Sequence, residues 1–148
     1  GFEAVALEPT TEEFDEIRLR AGLSHKIAAT RSGLGWIGKN GLVITKPFGS
    51  AVRLTTGLTD APISTGTPQN ESRCGTCTAC VEACPVTAPS GKNWSLGIYR
   101  DEFFDARACC RKATEFCEAA GIDSTICGIC IEACPWTRKY ISKSERKR

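Results

Sequence analysis

Cysteine spacing constrains this chain more than any other feature. All ten cysteines of the 148 residues lie between Cys74 and Cys134, and the first half has none. Cys74, Cys77, Cys80, Cys84 and Pro85 form the run C-x2-C-x2-C-x3-C-P. Its second part recurs further on, where Cys127, Cys130, Cys134 and Pro135 keep the same intervals and Glu82-Ala83-Cys84-Pro85 becomes Glu132-Ala133-Cys134-Pro135. A secreted disulfide scaffold spreads its bridges through the chain to staple a small core. Thiols set two and three residues apart suit ligands gathered around inorganic ions.

The first run is the one by which bacterial ferredoxins hold 4Fe–4S clusters, with the last cysteine serving the other cluster. A cubane offers four iron corners, and three cysteines in a tight loop wrap three of them. The fourth follows on a helical turn and points away, and Pro85 ends the segment. The internal repeat therefore predicts two interlocked clusters. The first takes Cys74, Cys77, Cys80 and Cys134. The second takes Cys84, Cys127, Cys130 and one upstream cysteine among Cys109, Cys110 and Cys117. Asp105 ahead of Cys109 resembles the D-x-x-x-C lead-in of ferredoxin cluster loops, which favours Cys109, with Cys110 as the alternative. The two cysteines left over are then buried thiols. Structural zinc pairs two C-x2-C knuckles and has no use for a third cysteine or the C-P ending. Phe103, Phe104, Trp94, Tyr99 and Trp136 are expected to form an apolar shell around the clusters.

No apolar run is long enough to span a bilayer and no signal peptide precedes the first polar stretch, so the expected compartment is the cytoplasm and no membrane partner is expected. The formal charge is +2. Each cluster with its four thiolates brings a net negative charge, which moves the loaded chain to about −2. Bulk charge makes no case for nucleic acid. The basic tail 142–148 is expected to be a solvated terminus.

Along the chain, Glu3 to Leu7 suggests a strand. Thr10 and Glu13 form a capping box, followed by Phe14, Ile17 and Ala21 at helical spacing. Ser24 caps a second helix that Gly33 closes. Four glycines crowd the stretch Gly33 to Gly41. They satisfy neither nucleotide-loop pattern, which leaves a connection between helix and strand. Residues 42–45 and 51–56 suggest a hairpin turning through 46–50. The longest helix is expected from Ala106 to Ala120, stopped at Gly121. His25, the only histidine, suits a capped, surface-facing helix position better than catalysis.

Ser24-His25-Lys26, Gly33-Leu34-Gly35-Trp36-Ile37-Gly38-Lys39-Asn40, Leu58-Thr59-Asp60-Ala61-Pro62 and the double cysteine block ending in Cys134-Pro135-Trp136 together resemble the epoxyqueuosine reductase family, relatives of reductive dehalogenases. The likeness runs from about Gly1 to Arg138. It implies an α+β fold: part of a nitroreductase-like corrinoid-binding domain over 1–62, a linker over 63–73, and a double-cluster ferredoxin-like domain over 74–141. It implies cobalamin beside the two clusters, with Ser24, His25, Trp36 and Lys39 on the corrinoid side. It also implies an electron donor such as a ferredoxin or flavodoxin, a tRNA substrate, and a substantial portion of chain before Gly1. The proton-donating Asp of the family falls on Leu19 in ungapped register with Gly33, and Asp15 and Glu16 stand off that register. A stand-alone two-cluster electron carrier is the alternative function.

Overall fold

The computed structural model describes residues 1–9, 14–15 and 20–146. It is an α+β arrangement of three small two-stranded sheets and five helices among the described residues. Strand β1 (Ala4–Leu7) pairs antiparallel with β6 (Thr56–Thr59), Val5 facing Leu58. Strands β2 (Phe14–Asp15) and β3 (Arg20–Ala21) pair with each other, Phe14 opposite Ala21. That pairing replaces the helix expected from Phe14, Ile17 and Ala21. Short apolar spacing fits either period, and the antiparallel partner decides it. Thr10, Glu13 and Ile17 lie outside the described residues.

Helix α1 (His25–Arg31) starts at Ser24, whose backbone is extended and whose carbonyl accepts from the amides of Ile27 and Ala28. It ends as expected, with Gly33 at φ +81° just beyond the C-cap Ser32. The glycine-rich stretch then folds as a tight hairpin rather than a plain connection. Strand β4 (Gly35–Ile37) pairs antiparallel with β5 (Val43–Thr45), Trp36 opposite Ile44. A Cβ on Gly35 would stand 2.2 Å from the Ile44 carbonyl oxygen, so only glycine permits this approach.

The hairpin expected between 42–45 and 51–56 does not form. Thr45 and Gly49 exchange backbone hydrogen bonds of 2.8 and 2.9 Å, closing a tight loop that sends the chain elsewhere. Strand β5 has already found β4, and the 56–59 end of the second run joins β1.

Helix α2 (Ala79–Glu82) and α4 (Ile129–Ala133) follow the two cysteine loops and pack on one another. Between them, α3 (Ala106–Ala119) is capped by the Asp105 carboxylate, which accepts from the Ala108 amide at 2.9 Å. Helix α5 (Pro135–Glu145) begins with proline in its first turn, where the missing amide costs nothing.

Both cores join the two halves of the chain. Ala29, Ile37 and Val43 pack with Phe103, and Leu54, Trp94, Ile98 and Phe104 lie against them. Trp36, Ile44 and Cys134 form the second core, with Cys74 and Trp136 against it. Segment 63–73 is pinned at both sides: the Gln69 amide donates to the Thr30 carbonyl, and the Ser72 amide to the Trp94 carbonyl. No helix among the described residues is long and apolar enough to cross a membrane.

Candidate metal centre

The first cysteine loop is a compact turn. The Cys77 amide donates to the Cys74 carbonyl at 3.1 Å, with Gly75 at φ +55° between them. Cys80 then sits on α2, and Cys84 lies just past its C-cap, accepting at its Sγ from the Ala88 amide at 3.3 Å. The second loop uses Gly128 at φ +81° to start α4, which carries Cys130. Cys134 ends α4 in an extended conformation and starts α5, so its thiol is fixed by two helices at once.

All ten cysteines are free thiols. Their electrostatics sort them in space. Burial pushes the Cys80 thiol up to about 11, and the charges of Cys74, Cys77 and Cys134 add to the rise. Burial likewise pushes Cys130 up to about 12, and Cys109, Cys80, Cys127 and Cys84 add to it. Cys109 is raised by burial first, then by Cys84, Cys127, Cys110 and Asp105. Such mutual effects need proximity. They put Cys74, Cys77 and Cys134 near Cys80, with Cys74 packed against the core of Cys134, as one set, and Cys84, Cys109 and Cys127 near Cys130 as another, with Cys110 beside Cys109. Cys80 on α2 and Cys130 on α4 lie on the two helices that pack together, and the Cys80 charge also acts on Cys130.

Neither set closes on one point. Among the described residues, no three His, Cys, Asp or Glu side chains converge as a single ion would require. A cubane distributes its thiolates over four irons and needs the wider spacing, and eight thiols in two sets supply the donors for two such groups. Thiols held this far above neutrality release protons when a metal binds. Cys117 belongs to neither set. Its buried Sγ donates to the Ile126 carbonyl at 3.2 Å and accepts from the Ile126 amide at 3.4 Å, clamping the residue before Cys127.

Of the expected aromatic shell, Trp136 packs against the core of Cys134. Trp36, which the sequence resemblance put on the corrinoid side, packs in the core of Cys134 and meets Trp136 edge-on at 5.2 Å. Phe103, Phe104 and Trp94 fill the other core, and Tyr99 is 72% exposed. Lys39, also put on the corrinoid side, is 4% exposed and donates from Nζ to the Cys77 carbonyl at 2.9 Å. The hairpin thus presents both Trp36 and Lys39 to the first thiol set. Behind them, Asn40, Ser50 and Thr137 make a buried polar chain, with the Ser50 amide donating to Thr137 Oγ1 at 3.1 Å. Sequence reasoning passed over Ser50 and Thr137, which stand 87 positions apart.

Ser24 and His25 lie elsewhere. They line a cavity of about 820 Å3 with Lys26, Arg53, Tyr99 and Arg100 among its polar wall. Burial and the Arg100 charge lower the Lys26 ammonium, which donates to the Gly41 carbonyl at 3.0 Å. His25 bridges strands and helix: Nδ1 meets Thr56 Oγ1 at 2.7 Å and Nε2 meets the Glu8 carbonyl at 2.9 Å. A carbonyl only accepts, so Nε2 carries a proton. Asp15 lies in β2, while Glu16 and Leu19 fall outside the described residues.

No family model matches the chain. An epoxyqueuosine reductase of Atelocyanobacterium thalassa is 34% identical over 128 residues, covering 80% of this chain and 39% of the relative. That of Cyclobacterium marinum is 36% identical over 119 residues, covering 74% of this chain and 36% of the relative. Among solved structures, a selenomethionine-labelled epoxyqueuosine reductase superposes with a TM-score of 0.63 at 27% identity, over 93% of this chain and 33% of its own. An epoxyqueuosine reductase in complex with a modified tRNA-Tyr stem loop gives 0.62 at 26% identity, over 93% of this chain and 33% of its own. The chain therefore spans between about a third and two fifths of the length of these relatives, and over that span its sequence and fold are similar to those of epoxyqueuosine reductases.

Proposed function

We propose that this chain holds two 4Fe–4S clusters with crossed ligands and supplies electrons to a corrinoid in an epoxyqueuosine reductase-like reduction. Cys74, Cys77, Cys80 and Cys134 would hold the first cluster, and Cys84, Cys109, Cys127 and Cys130 the second. The observation that carries this reading is the packing of the two cysteine runs on each other, α2 on α4 and Cys74 against the core of Cys134, which brings members of both runs together. Cys109 is preferred over Cys110 because the charge of Cys109, and not that of Cys110, acts on Cys130, and over Cys117 because that thiol is engaged with Ile126.

When bound, a 4Fe–4S cluster accepts and gives up single electrons at a potential set by its surroundings. The chain's own residues position the thiols, exclude water with the Trp36–Trp136 pair, and bring the Lys39 ammonium to the first loop. For the corrinoid, Ser24 and His25 stand at a cavity of about 820 Å3, large enough for part of such a cofactor, with polar donors suited to its amide-bearing edge. Trp36 and Lys39 are better placed toward the first cluster. The nitroreductase-like and ferredoxin-like parts of the fold, and the division at 63–73, belong to this same reading. The substrate is an epoxide on a modified tRNA base by likeness to the solved complex, and the electron donor is a ferredoxin or flavodoxin.

A stand-alone electron carrier is the second reading. It is favoured by one observation: both thiol sets lie wholly within this chain.

The test is a pair of substitutions in anaerobically reconstituted protein, followed by electron paramagnetic resonance. Cys134→Ser abolishes the first cluster's signal and Cys84→Ser the second's. Loss of the same signal from both changes means the sites are uncrossed or differently built. Cobalamin titration then separates the two functions, because a carrier leaves the cofactor's absorption unchanged. Loss of the epoxide from a modified stem loop would identify the substrate.

A further inference from the structure

A buried indole nitrogen stands out. Trp36 is 1% exposed, and its Nε1–H is the buried side-chain nitrogen or oxygen without a hydrogen-bond partner among the described residues. Leaving such a donor unmet in a core costs roughly 1–3 kcal/mol, so native structures rarely tolerate it. The surroundings say what could meet it. Trp36 shares its core with Cys134, and Cys74 packs against that core. Both are members of the first thiol set. One face of the ring is occupied by the Arg73 guanidinium, 5.8 Å from the centroid, and Trp136 abuts it edge-on.

Lys39, three residues on, makes a second and independent observation. Its ammonium is buried and donates to the Cys77 carbonyl, and among the described residues it pairs with no carboxylate. Buried charges are ordinarily compensated by an opposite charge. A cluster with four thiolates is net negative and would lie among Cys74, Cys77, Cys80 and Cys134. The same hairpin therefore packs an unsatisfied proton donor and an uncompensated cation beside one thiol set.

We propose that the Trp36 indole N–H donates a hydrogen bond to a sulfur of the first cluster and, with the Lys39 ammonium as counter-charge, raises that cluster's reduction potential. This rests on the two-cluster reading above and adds to it the residue that tunes one cluster. The physical reason is differential. Reduction adds negative charge to the cluster sulfurs, so a fixed donor stabilises the reduced state more than the oxidised one.

The experiment is a dye-mediated redox titration of the anaerobically reconstituted full chain, read by paramagnetic resonance. The first cluster's signal is identified by its loss in Cys134→Ser. Trp36→Phe is expected to keep the iron content of the unaltered chain. At that chain's midpoint, its first cluster should show an oxidised-to-reduced ratio raised by about three- to tenfold. Tenfold corresponds to a fall of 59 mV for one electron. The second cluster should not move. Trp136→Phe removes similar bulk from a half-buried ring, and should shift the first cluster less. An unmoved first cluster in an iron-replete Trp36→Phe chain overturns the proposal and assigns the indole proton to the Trp136 ring face.

Should Trp36→Phe fail to assemble, the Trp136→Phe chain carrying 15N-labelled indoles decides the matter by pulsed resonance. Trp94, packed in the other core, is then the remaining indole besides Trp36. A nitrogen coupling on the reduced first cluster supports the proposal, and its absence overturns it. If the unaltered chain takes up no iron, it is the two-cluster reading that fails, which is a separate result.

Discussion

Gly49 is where the first half of the chain abuts Thr137, three residues beyond Cys134, and replacing it with alanine tests that hold on α5. The residue sits at φ +62°, closing the loop between Thr45 and Ser50. A Cβ there would stand 2.2 Å from the Thr137 amide nitrogen and 2.6 Å from its Cα. Those atoms belong to the first turn of α5 and cannot rotate aside. A left-handed alanine costs about 1–2 kcal/mol, and forcing a methyl into a packed contact adds about 1–3 kcal/mol. The total, about 2–5 kcal/mol, is a large share of the ~5–15 kcal/mol that holds a typical domain together. Two other glycines calibrate the number. Gly121 has φ +67° and open space around its missing Cβ, so Gly121→Ala should cost the conformational term alone, about 1–2 kcal/mol. Gly57 lies in β6 with no left-handed angle and open space, so Gly57→Ala should be neutral or stabilising by up to about 1 kcal/mol. Denaturant unfolding of the three loaded variants gives the order. Because α5 begins at Cys134, Gly49→Ala should also release iron from the first cluster sooner than from the second. If Gly49→Ala costs no more than Gly121→Ala, the contact with Thr137 does not anchor α5 and the argument fails.

Three further outcomes follow from the same geometry. Lys39→Ala removes a buried charged donor from the Cys77 carbonyl and should lower unfolding stability by about 1.5–3 kcal/mol; an unchanged denaturant midpoint would contradict the role given to this bond. Cys117→Ser keeps both a donor and an acceptor for Ile126, whereas Cys117→Val leaves that amide and carbonyl unmet and should cost about 1–3 kcal/mol more. Iron content should stay full in both, and its loss from the serine variant would make Cys117 a ligand. The Glu102 carboxyl is held below its ordinary value by the Tyr99 amide and then by Lys92. A lowered folded-state value contributes stability above the ordinary carboxylate range, lost as pH falls through the folded-state value. Exchange of the Tyr99 amide should therefore gain protection across that acid window in the native chain, and Glu102→Gln should abolish the pH dependence.

What the sequence discloses depends on how local each feature is. The cysteine loops, the Ser24 start of α1 with its Gly33 stop, and the α3 helix with its Gly121 stop are written within a few residues. Their local backbone geometry needs no distant partner, and the helix starts and stops fall where the sequence puts them, although each thiol set draws on both runs. Strand pairing is different. Val43–Thr45 could face either neighbour, and the close approach that only Gly35 allows gives it to Gly35–Ile37. Phe14 and Ala21 suit a helical stripe on paper, yet each is the other's ladder partner. Trp36 and Lys39 stand in the most distinctive stretch of the chain, but their side chains face the cysteine loops rather than the cavity of Ser24 and His25. The turn at Gly38 and Gly41 sets that facing, with the Gly38 amide on the Leu42 carbonyl at 2.8 Å. The contact between Ser50 and Thr137 leaves no trace in either neighbourhood, because each is an ordinary small polar residue until the fold unites them.

The most direct check is an elemental count of iron, sulfide, cobalt and zinc on anaerobically prepared protein. Two cubanes predict about eight irons with as many acid-labile sulfides per chain, and no zinc. Colourless protein with zinc in place of iron would contradict the account at its base.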